Sequence, residues 1–152
     1  MKNKNLKYLV KNFKLKHLKI IGNNINNNKI NWNSISKNEK LSNEFIITFN
    51  KNLNFEYLVQ YQKLCPLYIE DNINNIIEKK LWEPLIINQK ISQKILRTYI
   101  IPNIKYWELV IIHQKISSTM ICKILRHIKN HFPKKEKKYI QLIFKYQIKK
   151  KK

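Results

Sequence analysis

Glycine is almost missing from this chain: Gly22 is the only one in 152 residues, beside four prolines. Tight turns that need a positive φ are therefore scarce, which disfavours hairpin-rich β architectures. A phosphate-cradling P-loop and a dinucleotide fingerprint, each built on several glycines, are excluded. Acid is short as well, with nine Asp and Glu against 31 Lys and Arg. Asp71 is the only aspartate and Glu70-Asp71 the only adjacent acidic pair, which reads as a solvated connector rather than as converging carboxylates for acid–base or two-metal work. Only Arg97 and Arg126 are arginines, so the formal charge of +22 is carried by lysine, which gives non-specific attraction and not the planar forks that read bases or grip phosphates.

Cysteine is limited to Cys65 and Cys122, with no CxxC, and the Lys- and Asn-interrupted start MKNKNLKYLVKNFKLKHLKIIG does not resemble a signal peptide. A reducing, cytoplasmic setting is the expectation. No run approaches the ~18 apolar residues that a membrane span requires, so no membrane association is expected. What the chain does have is 43% hydrophobic and 11% aromatic residues, enough to bury a core. Its richness in Ile, Asn and Lys, all with A/T-heavy codons, leaves the basic charge ambiguous between function and genome composition.

The order in the sequence is a repeat. Four segments align without gaps: WNSISKNEKLSNEFI from Trp32, FEYLVQYQKLCPLYI from Phe55, WEPLIINQKISQKIL from Trp82 and WELVIIHQKISSTMI from Trp107. With the first residue as position zero, position three is Ile35, Leu58, Leu85 and Val110, and position seven is Glu39, Gln62, Gln89 and Gln114. Lys follows each time, then Leu41, Leu64, Ile91 or Ile116, then Ser42, Cys65, Ser92 or Ser117. A weaker copy opens at Leu6, with Leu9, Val10, Lys14, Leu15 and Ile20 in register, and a truncated one begins at Ile140 with Ile143 and Gln147. Anchors at 6, 32, 55, 82, 107 and 140 are spaced by 26, 23, 27, 25 and 33, the last interval holding His131-Phe132-Pro133 and the KKEKK run.

Positions zero, three, four and seven share one face of a helix, so each copy predicts a first helix packed through that stripe. Asn5, Asn31 and Asn54 stand where a helix N-cap belongs, whereas Leu81 and Tyr106 precede the other two anchors. Ser42, Ser92 and Ser117 can cap a second helix, making Gln-Lys-Leu/Ile-Ser the turn, and Pro66 after Cys65 suits a first helical position. Buried anchors Trp32, Phe55, Trp82 and Trp107 would dominate stability, with Trp82→Ala expected to cost roughly 3–5 kcal/mol. Gln62, Gln89 and Gln114 either bond a neighbouring copy's backbone or are tolerated at the edge of the face. The fold expected is all-α: short tandem helix-turn-helix repeats of about 25 residues, stacked as a small solenoid-like domain over 1–130, followed by a basic connector, partial repeat and Lys tail over 131–152.

The pattern W-x-x-I-x-x-x-Q-K-L-S-x-x-F-I, clear over residues 32 to 121, resembles the tryptophan-repeat gene family of insect poxviruses. Phe55 for Trp, Glu39 for Gln and Cys65 for Ser depart from it. The resemblance implies a repeat protein of an A/T-rich virus, hence a viral protein in host cytoplasm, and no particular activity.

Candidate chemistry is thin. Cys122, His127 and His131 are the most suggestive metal arrangement, but they lack a near fourth ligand and the CxxC spacing of zinc sites. They read instead as a small core cysteine and two solvated histidines. Cys65 as a nucleophile would need a distant histidine, while its repeat register already accounts for it. Lys134, Lys135, Lys137 and Lys138, with Lys149, Lys150, Lys151 and Lys152, could contact nucleic acid without sequence preference, or simply solubilise the chain. The expectation is a non-enzymatic module with no cofactor, metal or small-molecule substrate, binding an unidentified protein. The alternative is a basic nucleic-acid-associated protein, for instance an RNA- or DNA-binding or organellar ribosomal component.

Overall fold

A computed structural model describes residues 15–26 and 29–148. The fold is all-α, 73% helical, with eleven helices among the described residues. Most of the opening copy, including Asn5, Leu6, Leu9, Val10 and Lys14, and the Lys149–Lys152 tail lie outside the described residues.

Helices fall into two compact units, divided between Lys63 and Leu64; the expected boundary at 130/131 lies inside the second. The first unit holds α1 (Leu15–Asn23), a two-residue antiparallel pairing of Ile25–Asn26 with Lys29–Ile30, α2 (Trp32–Asn38), α3 (Asn43–Thr48) and α4 (Phe55–Tyr61). The second holds α5 (Pro66–Asp71), α6 (Ile73–Glu78), α7 (Trp82–Asn88), α8 (Gln93–Ile95, continued as a π turn over Leu96–Ile100), α9 (Trp107–His113), α10 (Ser118–His131) and α11 (Glu136–Ile143, continued as a π turn over Phe144–Ile148). In the first unit α2 packs on α4; in the second, α9 packs on α7 and α11, and α10 on α11.

The four aligned segments share one geometry. Each first helix is seven residues long and begins at its anchor. Each ends at position seven, where Glu39, Gln62, Gln89 and Gln114 turn extended, and the next helix starts from Ser42, Cys65, Ser92 or Ser117, extended again. The capping chemistry follows the residue types: Asn31 and Asn54 accept from backbone N–H groups of α2 and α4, and the Ser hydroxyls from Phe45, Ile95 and Met120. Leu81 and Tyr106 make no side-chain cap.

The core is not built on the tryptophans. Trp107 is buried, but Trp32, Phe55 and Trp82 are only half-buried, so the expectation that the anchor rings dominate stability is corrected. Residues at position three (Ile35, Leu58, Leu85, Val110) are fully buried, and those at nine and thirteen are buried in all four copies. Anchor rings instead lean on an aromatic side chain later in the same copy: Trp32 lies 5.3 Å from Phe49, Trp82 is stacked 5.8 Å from Tyr99, and Trp107 meets His127 edge-on at 5.2 Å. A cost of 3–5 kcal/mol for truncation to Ala therefore belongs to Trp107, whose Nε1 also donates to the Ile101 carbonyl at 2.7 Å, rather than to Trp82.

Candidate functional site

Four polar side chains are buried among the described residues: Ser36, Gln62, Gln89 and Gln114. In the first unit, Gln62 Oε1 accepts from Leu41 N at 3.1 Å, while its Nε2 donates to the carbonyls of Ser36 (2.9 Å) and Glu39 (2.7 Å). In the second, Gln114 repeats this two copies on, taking Ile91 N at 3.1 Å and donating to Ile86 and Gln89 carbonyls at 2.5 and 2.7 Å. Gln147 does the same to Ile116 N and to the carbonyls of Ile111 and Gln114. Gln89 accepts from Leu64 N at 3.0 Å. A helix end leaves its last carbonyls without intrahelical partners, and two of them are met here by one side-chain amide of the following copy. The glutamines are backbone clamps, which settles the choice left open by their spacing alone.

Glu39 occupies the same position but makes a different bond, its Oε1 accepting from Asn24 Nδ2 at 2.8 Å. A carboxylate has no N–H to offer a carbonyl, so it cannot clamp as an amide does. Ser36 was not singled out in the sequence: its hydroxyl donates to the Trp32 carbonyl (2.7 Å) and accepts from Asn54 N (2.9 Å), tying the start of α4 to α2. The only signal for it was a small polar residue at position four, where the other copies carry Val59, Ile86 and Ile111.

The candidate chemical groups take other roles. Cys122 is exposed, not a core residue, because it lies on the outer side of α10 while Met120, Ile124 and Ile128 face inward. His127 and His131 are exposed and their rings lie 4.4 Å apart, with Phe132 beside them. No group of three His, Cys, Asp or Glu able to hold a metal occurs among the described residues. Cys65 caps α5, its Sγ accepting from Tyr68 N at 3.4 Å. Burial, with a smaller contribution from Cys65, pushes the Tyr68 hydroxyl up to about 12.

Glu70 is no mere connector residue: the Ser92 hydroxyl donates to it at 2.7 Å and Lys94 Nζ lies 3.3 Å away, which together hold its carboxyl below the usual range. Lys134, Lys135 and Lys137 are exposed, with the Lys135 ammonium over the Phe132 ring, while Lys138 is engaged with Glu108 at 2.7 Å. A groove of about 770 Å³ opens beside the starts of α10 and the end of α11, lined by Ile116, Ile121, Cys122, Tyr146, Gln147 and Ile148 among others. No helix among the described residues is long and apolar enough to cross a membrane. No family model, curated protein or solved structure matches the chain.

Proposed function

We propose that the chain is a non-enzymatic helical-repeat scaffold, its copies stacked through glutamine clamps, that binds another protein. The observation that carries this reading is how the buried polar groups are used: Ser36, Gln62 and Gln114 bond backbone across neighbouring copies. Such groups hold a surface in place, and stacked helix pairs present extended faces for partners. Large apolar side chains on those faces supply contact area, notably Leu67 at 72% and Ile47 at 62% exposure. On this reading, which rests on the sequence resemblance to the tryptophan-repeat family, the scaffold is a viral protein of the host cytoplasm, and two free thiols suit that reducing compartment.

The test is site-specific photo-crosslinking in cells, with a benzophenone amino acid at position 47 or 67 and, as a control, at exposed position 123. The reading predicts one discrete protein adduct from 47 or 67, absent from 123, and competed away by unlabelled wild type but not by unlabelled Ile47→Asp or Leu67→Asp, respectively, each with helicity intact. Equal, diffuse labelling from all three positions would contradict it.

A further inference from the structure

Lysine occupies position eight in every aligned copy: Lys40, Lys63, Lys90 and Lys115. All four are exposed, and none forms an ion pair among the described residues. The clamps hold them in pairs. In the first unit, Lys40 and Lys63 flank the 3.1 Å bond between Leu41 N and Gln62, one residue from each end of it. In the second unit, Lys90 and Lys115 flank the equivalent bond between Ile91 N and Gln114, and Gln93 Nε2 further holds the Lys115 carbonyl at 3.0 Å. Packed helices lie about 10 Å apart, so the two lysines of a pair leave two neighbouring, clamped turns at roughly that backbone spacing.

In three of the four first helices acid stands at the opposite end, whereas α2 has none there and carries Glu39 beside Lys40. Glu56, Glu83 and Glu108 are the second residues of α4, α7 and α9, about 10 Å from the lysine ends along a seven-residue helix. Two of them are met by connector lysines, Glu83 by Lys105 at 3.2 Å and Glu108 by Lys138 at 2.7 Å. Codon bias enriches lysine but does not sort it by register. The helix dipole favours a cation at this end, and an ammonium so placed still projects into solvent.

We propose that each of these clamped lysine pairs, one in each unit, forms a contact edge for the phosphate backbone of nucleic acid, bound without sequence preference. Paired point charges on flexible stems suit a polyanion of fixed high charge density, whose binding is driven by counterion release. With only Arg97 and Arg126 in the chain, the planar forks that read base edges are in short supply. This edge is distinct from the terminal Lys149–Lys152 tail and rests on its own observations.

Fluorescence anisotropy of labelled oligouridine with the full chain, over a salt series, tests it. Four proteins are compared: wild type; Lys40→Gln/Lys63→Gln/Lys90→Gln/Lys115→Gln; the same four changed to Arg; and a charge-matched control, Lys19→Gln/Lys51→Gln/Lys123→Gln/Lys129→Gln. The expected result is an about tenfold or greater loss for the first variant, with the log–log salt slope shallower by about 1.4, as two lost single-strand contacts at each edge imply. The Arg variant should retain binding, and the control should stay within about twofold of wild type at low salt. Equal losses in the two Gln variants, no binding by wild type, or equally tight binding of polyglutamate in competition would each overturn the proposal. Thermal melts of all four proteins separate loss of binding from loss of fold.

Discussion

A glutamine carries a donor and an acceptor on one planar head, and at position seven Gln62 and Gln114 use both. Gln114 is buried and spends its oxygen on one N–H and its nitrogen on two carbonyls. Glu in its place keeps the acceptor but turns a charged oxygen toward two carbonyl oxygens. Gln114→Glu is therefore expected to destabilise by about 3 kcal/mol at neutral pH, and by less in mild acid, where a protonated carboxyl can again donate. Urea denaturation at two pH values checks this; a pH-independent loss equal to that of Gln114→Leu would contradict it. The recurrence of Gln was legible in the sequence, but its role was not, because an edge residue and a buried clamp share the same spacing. Ser36 was missed for a related reason: a small polar residue among apolar neighbours reads as a defect until Asn54 N is seen 2.9 Å from its hydroxyl.

At the scale of the element, helices of six or seven residues have no stability of their own in water, so caps and turns decide where they begin and end. Those boundaries were legible, since Asn31, Asn54, Ser42, Ser92, Ser117 and Pro66 announce helix starts by their own chemistry. The stop after α6 was not. Leu81 N donates to the Ile76 carbonyl at 3.0 Å, closing a Schellman-type turn in which Lys80 sits at φ 55, a place usually given to Gly. Lys80→Gly should raise stability by about 1 kcal/mol by relieving that strain; an unchanged or lower melting temperature would refute it.

The link from α5 to α8 is electrostatic and so depends on pH. The Ser92 hydroxyl and Lys94 hold the Glu70 carboxyl below its usual value of 4.5, so Glu70 stabilises the fold above that pH. This contribution is lost as pH falls through the lowered value. The gap in melting temperature between wild type and Glu70→Gln should thus be constant near neutrality and close below about pH 4.5. A gap unaffected by acid would mean that the bonds do not depend on the charge.

Over the whole molecule, the all-α class and the turn positions followed from periodicity, because positions three, seven and nine are spaced as a helix and its turn require. The weight given to tryptophan did not follow. A large ring at the first position of a helix can lie across the rim, as Trp32 and Trp82 do against Phe49 and Tyr99, while the smaller Ile, Leu and Val three residues later fill the centre. Charge was legible as a sum and as one recurring register position, that of Lys40, Lys63, Lys90 and Lys115. That this position lies at helix ends opposite Glu56, Glu83 and Glu108 in three of the four copies emerged once those ends were fixed.

The central claim is that each copy's turn is held by the glutamine of the next. Native-state amide hydrogen exchange of wild type and Gln114→Ala tests it most directly, because Ile91 N–H lies in a turn and has the Gln114 side chain as its acceptor. The account predicts protection at Ile91 in wild type and its selective loss in Gln114→Ala, with Leu64, held by Gln89, still protected. Rapid exchange at Ile91 in wild type, or the same protection in both proteins, would contradict it.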